Sequence, residues 1–251
     1  MKVSIITVCY NSDNYISTAI ESVLSQDYPD IEYVVIDGGS TDRTVEIVSS
    51  YLDSISHFVS EPDLGIYHAM NKGIDISSGD VVGILNSDDF YTHNGVISNM
   101  VDSFSKNPGA DILLFGNDFV SPDNLSRVLR RYSSYHFSTW KLFFGLAPSH
   151  PGAFVRRSAY NRIGNYKLDY PIAADFEWFV RAFLVFNLTF VSFDRVVVRM
   201  RLGGVSTSGI RSAYLGTVDV YKSLSDNNLS SYGLVLFRLP AKILSDFFKV
   251  K

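Results

Sequence analysis

The first 115 residues alternate short apolar runs with segments of helical periodicity. Residues 3–8 form a β-branched run typical of a buried strand, and similar runs lie at 33–36, 57–59, 81–85 and 112–115. Between the strands, apolar residues recur every three or four positions, and the first such set is Ile16, Ala19, Ile20, Val23 and Leu24. Ser12 or Asp13 stands where it would cap this first helix. The rhythm predicts an α/β fold, a mostly parallel Rossmann-like sheet with helices on both faces.

Polar residues follow each of the first four predicted strands. Right-handed crossovers place the carboxyl ends of parallel strands along one edge of the sheet, where ligands of open α/β sheets bind. We therefore expect the four polar segments to meet at one site. They are Tyr10-Asn11, Asp37-Gly-Gly-Ser40, Glu61-Pro-Asp63 and Asn86-Ser-Asp88-Asp89.

The second half of the chain is less regular. The stretch 121–135 is polar and carries three arginines, which predicts an excursion over the surface. A helix is predicted over 171–186, followed by two strand-like runs at 188–193 and 196–200. A glycine-rich loop follows at 202–209.

Composition and charge exclude several classes of protein. Hydrophobic residues make up 46% of the chain and charged residues 19%, which is typical of a filled globular core. A net charge of −4 leaves no overall basic field for nucleic acid. The single cysteine, Cys9, excludes an internal disulfide framework and fits a reducing compartment. The longest apolar stretch, 178–193, contains Arg181 and Asn187 and is too short to span a membrane. A soluble or peripheral protein is expected.

Two adjacent carboxylates, Asp88 and Asp89, end the fourth predicted strand. Such a pair repels itself unless solvent or a cation screens the charge. A hard divalent cation shared with a diphosphate would satisfy both the carboxylates and the phosphates. The alternative is a helix N-cap or an Asx-turn built from Ser87 and Asp88. The three other polar segments on the same edge favour the metal.

Four segments in this order resemble the family-2 glycosyltransferases of GT-A fold, especially bacterial enzymes that build surface polysaccharides and O-antigens: VSIITVCYN, YVVIDGGSTDRT, SEPDLGIYHAMNKGI and GDVVGILNSDDFY. The resemblance spans residues 1–91 and resumes at 150–181. It implies one GT-A domain with a nucleotide-sugar-binding half (1–115), a smaller half that binds the acceptor and carries the catalytic base (116–233), and a C-terminal amphipathic helix (234–251).

On the donor side, the resemblance implies that Val8 and Tyr10 pack on the nucleotide base and that Asp37 binds the uracil. Asp63 is expected to face the same nucleotide. The Asp-x-Asp motif corresponds to Asn86-Ser87-Asp88, so Asp88, with Asp89 as a helper, is implied to hold Mn²⁺ or Mg²⁺ on the diphosphate.

Two departures from the family pattern bear on the donor side. Gly38 stands where many relatives have a second Asp, which affects the contact with the base. Asn86 replaces the first Asp of the Asp-x-Asp motif; its amide can bind a ribose or ligate a metal through oxygen, but it adds no charge.

On the acceptor side, the segment around Asp175 resembles the Glu-Asp motif whose Asp is the general base, with Ala174 at the Glu position. The resemblance implies that Asp175 takes the acceptor's proton and that Glu177 and Trp178 contact the acceptor. Alternatively, Asp175 caps its helix or pairs with Arg181. His150 is a candidate for the acceptor pocket; the alternative is polar packing in a loop.

Each of two further segments allows two interpretations. One interpretation is that Arg199 and Arg201, with the glycine-rich loop after them, close over the departing diphosphate. The other is that they form a surface turn with solvated charges. The stretch 238–251 mixes apolar and basic residues, so it rests on an anionic membrane surface or packs on the domain as a terminal helix.

The resemblance implies inverting transfer of a hexose from a UDP-sugar to a hydroxyl of a polyprenyl-diphosphate-linked saccharide. It implies a cytoplasmic protein at the inner face of a bacterial membrane. The alternative is a nucleotide-sugar-binding module of the same fold without turnover. An oxidoreductase would need Gly-x-Gly-x-x-Gly after the first strand, where this chain has Cys-Tyr-Asn-Ser-Asp. A nucleotidyltransferase would need a glycine-rich basic loop near the N-terminus.

Overall fold

The structure, a computed structural model, describes residues 1–203 and 209–230. Strands and helices alternate through the first half, as the periodicity predicts. The strands are β1 (Val3–Cys9), β2 (Ile31–Asp37), β3 (His57–Ser60), β4 (Val81–Asn86), β5 (Asp89–Tyr91), β6 (Ile112–Ser121), β7 (Asn124–Tyr132), β8 (Ala153–Arg156) and β9 (Phe190–Arg201). The α-helices are α1 (Ile16–Leu24), α2 (Thr44–Ser49), α3 (Ile66–Ile76), α4 (Val96–Lys106), α5 (Arg157–Ile163), α6 (Ala174–Val180) and α7 (Gly209–Asp226).

All nine described strands form one sheet in the order β3-β2-β1-β4-β8-β6-β9-β5, with β7 paired to β6. Strands β1 to β4 are mutually parallel. Strand β8 runs antiparallel to both β4 and β6, so β6 and its parallel neighbour β9 point the same way as β4. The sheet is therefore mixed, with most strands parallel. Strand β6 runs across position 115, so the sheet joins the two predicted halves of the chain.

Each face of the sheet is covered by helices, which confirms the predicted α/β architecture. Along β1, Ile6 and Val8 pack on one face with residues of α3, α5, α6 and α7. Ile5 and Cys9 of the same strand pack on the other face with residues of α1, α2 and α4. Because side chains alternate along a strand, a strand that is buried at every position, such as β1, fits only a sheet covered on both sides.

Three predictions for the second half hold in part and differ from the structure in detail. The runs at 188–193 and 196–200 form one strand, β9, whose register against β6 shifts near Gly116. The stretch predicted as a surface excursion contains β7, which pairs with β6 although most of its residues are exposed. The predicted long helix is α6 followed by a π-helical turn, Arg181–Val185.

The predicted cap of the first helix is also wrong. Helix α1 begins at Ile16 without a side-chain cap, and the backbone carbonyl of Ser12 accepts the Tyr15 and Ile16 N–H groups instead. The Ser12 side chain turns to a partner in another loop, described below.

At the amino-terminal edge of the sheet, Glu32 is buried among hydrogen-bond donors. Its carboxylate accepts from Lys2 Nζ (2.6 Å), Ser4 Oγ (2.6 Å) and the Ser78 backbone N–H (2.6 Å). Burial disfavours its charge, but these donors outweigh burial and lower the pKa of Glu32 to about 2. The carboxylate is wholly used in joining β1, β2 and the loop before β4.

Within residues 1–203 and 209–230, no helix combines the length and apolarity that crossing a bilayer demands. The predicted glycine-rich loop lies mostly outside the described residues, and the predicted amphipathic stretch 234–251 lies entirely outside them.

Candidate functional site

The four polar segments meet at the carboxyl edge of the sheet, because β1 to β4 are parallel neighbours. Hydrogen bonds connect the loops to one another. The Ser12 and Ser87 hydroxyls lie 2.8 Å apart, and the Gly38 N–H donates to the Cys9 carbonyl (2.9 Å). The Ser60 hydroxyl donates to Asp37 (2.7 Å). The structure thus assembles the edge that the order of elements predicts.

Asp37 shapes the loop that follows β2. Its side chain is fully buried, and its carboxylate accepts the N–H groups of Gly39 (3.1 Å) and Ser40 (3.0 Å) as well as the hydroxyls of Ser40 and Ser60. A carboxylate with this many donors has no oxygen open to a nucleotide base. The structure corrects the expectation that Asp37 contacts the uracil directly: Asp37 holds the loop.

Gly38 leaves room for Asp63. A Cβ atom at Gly38 would stand 2.5 Å from Asp63 Oδ2, closer than such atoms approach. The other oxygen, Asp63 Oδ1, accepts the Gly65 N–H at 2.7 Å. Asp63 is half-buried, so its carboxylate lies at the loop surface where a side chain at position 38 would otherwise point. The position of the Asp63 carboxylate therefore depends on the absence of a side chain at position 38.

At the first strand, the two predicted base contacts differ in accessibility. Val8 lies within β1, is 4% exposed and packs in the core, so its side chain is not open to a base. Tyr10, just beyond the strand, is 62% exposed. An aromatic ring at the carboxyl edge offers a stacking surface. Of the two residues predicted to pack on the base, only Tyr10 is accessible.

The segment after β4 carries polar atoms without partners. Asn86 Nδ2 donates to Asp89 Oδ2 (3.1 Å), but the buried atoms Asn86 Oδ1 and Asp89 Oδ1 have no hydrogen-bond partner among the described residues. Asp89 is 1% exposed, whereas Asp88 is half-buried and more accessible. Unsatisfied buried oxygens are rare in folded proteins, and a bound ion is one explanation for them.

The pKa values of Asp88 and Asp89 are also consistent with a bound cation. Burial raises the pKa of Asp88. Burial and the neighbouring Asp88 charge raise the pKa of Asp89 well above its usual range. A bound cation reverses both effects by favouring the ionised carboxylates. The helix-cap alternative is wrong, because Asp89 begins strand β5 and the next helix starts only at Val96.

Arg201 holds the backbone of Asp88. Its Nη1 donates to the Asp88 carbonyl at 2.6 Å, and its guanidinium carbon lies 5.1 Å from the ring centroids of Tyr15 and Phe90. The side chain is 8% exposed, and burial lowers the pKa of Arg201 although Asp88 opposes this. The predicted surface turn with solvated charges is wrong for Arg201.

Arg199 lies two residues earlier on β9, beside Phe90 of β5 in the strand register. Its Nε is buried without a hydrogen-bond partner among the described residues. A buried guanidinium N–H of this kind is free to donate to an anion.

Asp175 lies in the first turn of α6 and is half-buried. Its Oδ1 accepts the Phe176 N–H (2.8 Å) and the hydroxyl of Tyr67 (3.0 Å). Tyr67 belongs to the first turn of α3, which starts at the carboxyl edge after the loop of Asp63. Asp175 therefore lies beside that edge. The alternative pairing of Asp175 with Arg181 is wrong, since Arg181 binds another carboxylate.

That carboxylate is Glu177, which belongs to the core. Glu177 has no exposed surface and accepts from Arg181 (2.9 Å) and Lys167 (3.0 Å). Trp178 is 1% exposed, and its Nε1 donates to the Gly164 carbonyl (3.0 Å). The structure contradicts the predicted acceptor contacts at Glu177 and Trp178, because both side chains are buried and bonded to the segment before α6.

His150 lies in an aromatic cluster near Asp175. Its Nε2 is 2.8 Å from the Tyr166 hydroxyl, which is also 3.0 Å from the Tyr160 hydroxyl. Burial lowers the pKa of His150, although the Asp175 charge opposes this, so the imidazole is neutral at neutral pH. The assignment of His150 to the acceptor pocket stays a prediction.

Sequence reasoning missed Tyr67 and Ser12 as site residues, and it named Asn11 only as part of the first polar segment. Asn11 joins the first two loops, because its Oδ1 accepts the Thr41 N–H at 2.9 Å. Tyr67 lies inside SEPDLGIYHAMNKGI, one of the four segments that resemble the family, so its motif could have pointed to it. Its partner is 108 positions away, and nothing local distinguishes it from a tyrosine of the core.

The chain matches the family model described as Glycosyl transferase family 2 over residues 4–164. It is 36% identical over 214 residues to an uncharacterized glycosyltransferase of Mycobacterium tuberculosis, covering 84% of this chain and 77% of the relative. It is 27% identical over 183 residues to a PGL/p-HBAD biosynthesis glycosyltransferase of Mycobacterium bovis, covering 72% of this chain and 69% of the relative.

Two solved structures share the fold. Residues 1–349 of Staphylococcus aureus TarS, in complex with UDP, align with a TM-score of 0.65 and 21% identity, covering 98% of this chain and 72% of that one. The mannosyltransferase PcManGT from Pyrobaculum calidifontis, in complex with GDP-Man and Mn²⁺, aligns with a TM-score of 0.70 and 17% identity, covering 97% and 73%. These likenesses establish the GT-A fold.

Proposed function

Because the chain belongs to glycosyl transferase family 2, we propose that it moves a hexose from a UDP-sugar, with inversion, to a hydroxyl group of a saccharide acceptor. The observation that carries this proposal is the contrast among the acidic residues. Asp37, Glu32 and Glu177 are fully hydrogen-bonded, whereas Asp88 and Asp175 keep accessible surface at the same edge of the sheet. Carboxylates left accessible at the carboxyl edge of a parallel sheet are candidates for ligand binding and proton transfer.

On the donor side, Tyr10 offers its exposed ring to the nucleotide base and Asp63 offers a carboxylate beside it. Asn86 and Ser87 follow β4 towards the ribose and diphosphate. UDP in TarS and GDP-Man in PcManGT occupy proteins of the same fold, which supports a nucleotide-sugar donor.

A divalent cation fits the chemistry of the segment after β4. The unpartnered oxygens of Asn86 and Asp89 lie next to Asp88, and both carboxylates have raised pKa values that a cation would lower. Within residues 1–203 and 209–230, no three His, Cys, Asp or Glu residues cluster as a complete metal site. Mn²⁺ or Mg²⁺ would be held by Asp88 and Asp89 together with the donor's phosphates, an arrangement that Mg²⁺ favours. The cation would neutralise charge on the diphosphate.

In the reaction, Asp175 accepts the proton of the acceptor hydroxyl as that oxygen bonds to the anomeric carbon. The bond from this carbon to the diphosphate breaks, and UDP leaves with the electron pair. Attack from the face opposite the leaving group inverts the anomeric centre. Arg199, with its free N–H, supports the negative charge on the leaving diphosphate, and Arg201 keeps the Asp88 backbone in place.

We place the acceptor among lipid-linked saccharides, at the cytoplasmic face of a bacterial membrane, in the synthesis of a surface polysaccharide such as O-antigen or lipopolysaccharide. The motif resemblance supports this assignment, as does the basic and apolar composition of 238–251, which suits peripheral contact with anionic lipid. His150 is the side chain that we assign to acceptor binding, because it lies near Asp175.

The proposal is tested by thermal unfolding with a panel of nucleotide sugars, each with and without Mn²⁺. A donor present at 100 times its Kd stabilises the folded state by about 2.7 kcal/mol. We expect one UDP-sugar to raise Tm clearly, and only when Mn²⁺ is present. A panel in which no UDP-sugar raises Tm, or in which Mn²⁺ makes no difference, contradicts the proposal.

The contact between Gly38 and Asp63 provides a sharper test of the base site. Gly38→Ala would place a methyl group 2.5 Å from Asp63 Oδ2 and displace that carboxylate. If Asp63 contacts the base with a charge-assisted hydrogen bond, displacing it weakens UDP binding by about tenfold. Isothermal titration calorimetry measures the effect. Gly109→Ala is the matched control, since a Cβ at Gly109 meets nothing within 4 Å. Unchanged UDP affinity in Gly38→Ala would remove Asp63 from the site.

A further inference from the structure

We infer that the Tyr67 hydroxyl is a positioning group for the base, holding Asp175 ionised and oriented and releasing it once it has taken the acceptor's proton. This inference rests on the proposed function, in which Asp175 is the base. Tyr67 lies in the helix that begins at the donor-binding edge, so it connects the two halves of the site. It touches neither donor nor acceptor in this assignment.

The hydroxyl of Tyr67 has one proton and two acceptors. Its oxygen is 3.0 Å from Asp175 Oδ1 and 3.0 Å from the backbone carbonyl of Ile172. A hydroxyl can donate to only one of them at a time. With Asp175 ionised, the charged carboxylate is the stronger acceptor, because hydrogen bonds to an ionised group are about twice as strong as neutral ones.

The segment that carries both acceptors, the Ile172 carbonyl and Asp175 Oδ1, is held in place by other contacts. Asp219 of α7 accepts the Ile172 N–H (2.9 Å) and the Ala173 N–H (3.1 Å), which fixes the segment leading into α6. The Tyr67 ring packs against Tyr166 at a centroid distance of 5.7 Å. Burial and the Asp175 charge raise the pKa of Tyr67 well above its usual range, so the hydroxyl keeps its proton at neutral pH.

The proton transfers balance in the following way. In the structure, Asp175 Oδ1 accepts from Tyr67 and Phe176, so Oδ2 is the oxygen that takes the acceptor's proton. The carboxyl group is then neutral, and Oδ1 becomes a weaker acceptor. The Tyr67 hydroxyl rotates and donates to the Ile172 carbonyl instead. No proton leaves Tyr67, and the reverse rotation restores the first state when Asp175 gives up its proton to water.

The titratable groups that face Asp175 come from four parts of the chain. Tyr67 lies on α3, His150 before β8, Tyr166 before α6, and Asp219 on α7. Burial lowers the pKa of His150 and raises the pKa of Tyr166 well above its usual range, so both are neutral near pH 7. Of these groups, Tyr67 is the one with a described hydrogen bond to the Asp175 carboxylate.

Tyr67→Phe tests the inference because it removes one oxygen and keeps the ring. The ionisation of Asp175 is followed by its ¹³C carboxyl signal in protein labelled at Asp, assigned with Asp175→Asn. We expect the midpoint of this titration to rise by about 0.5 to 1 pH unit in Tyr67→Phe, since the charged form loses a donor. Incorporating 3-fluorotyrosine at position 67, a stronger donor, should move the midpoint down. An unchanged midpoint in both proteins overturns the inference.

The kinetic counterpart is the pH profile of UDP release from the UDP-sugar that the binding panel identifies. In Tyr67→Phe the acidic limb of kcat/KM should move to higher pH by the same amount. At its plateau kcat should fall about threefold to tenfold, within the range of positioning effects on proton transfer. The donor KM should not change, because Tyr67 does not contact the donor. A loss of activity with an unmoved acidic limb would show a merely structural tyrosine and contradict the inference.

Tyr160→Phe is the matched control. Tyr160 is buried in the same core, and its hydroxyl lies 3.0 Å from the Tyr166 hydroxyl; among the described residues it makes no hydrogen bond to Asp175. Its removal should change Tm about as much as Tyr67→Phe but leave the Asp175 titration unmoved. The NMR titration needs no turnover, so it separates two failures. If Asp175→Asn keeps full activity, the proposed base is wrong; if Asp175→Asn is inactive and Tyr67→Phe titrates like the wild type, only the role of Tyr67 is wrong.

Discussion

Replacing Asp175 with Asn is expected to lower kcat about 1000-fold, within the range for loss of a positioned general base. Asparagine has nearly the same shape and can still accept from Tyr67 through its carbonyl oxygen, so α6 and its surroundings should remain intact. It cannot take the acceptor's proton. The measurement is UDP release from the stabilising UDP-sugar at saturating donor and acceptor, with binding of UDP measured separately by calorimetry.

The binding measurement makes the result specific. UDP affinity should stay within about twofold of wild type, because Asp175 faces the acceptor in the proposed reaction. Asp169→Asn, which removes the same charge from an exposed position before α6, is the control and should be fully active. Activity within threefold of wild type in Asp175→Asn would remove Asp175 from the role of base.

Replacing Asp88 with Ala is expected to abolish the Mn²⁺-dependent rise in Tm with UDP-sugar and to lower kcat by about 10² to 10³. The carboxylate that we assign to the cation is lost. The backbone carbonyl that Arg201 binds remains, so the segment between β4 and β5 keeps its anchor. Thermal unfolding in the four combinations of metal and donor, followed by the UDP-release assay, measures both effects.

In the absence of ligand, Asp88→Ala should not be destabilised, since burial already raises the pKa of Asp88 and disfavours its charge. Asp53→Ala, at an exposed carboxylate far from this segment in the chain, is the matched control. A Tm rise that still requires Mn²⁺ in Asp88→Ala would place the cation elsewhere.

Several elements could be predicted because burial is periodic within one element. Strands β1 and β4 are mostly apolar and are buried on both faces, and the apolar stripe of α1 repeats at helical spacing. Strand β5 was missed because its three residues are too short to show a period. Strand β7 was missed because most of its residues are exposed, so its pairing with β6 leaves no alternation of apolar and polar positions.

By itself the sequence determined the α/β fold, the family and the segments that carry polar residues to the carboxyl edge. Which of those residues are available was decided only by the tertiary structure. Asp37 ends β2 and Asp88 follows β4, yet Asp37 is enclosed by donors from its own loop and Ser60, while Asp88 is left accessible. The physical reason is that periodic burial is encoded locally, whereas the pairing of a carboxylate depends on donors that the strand order brings from distant positions.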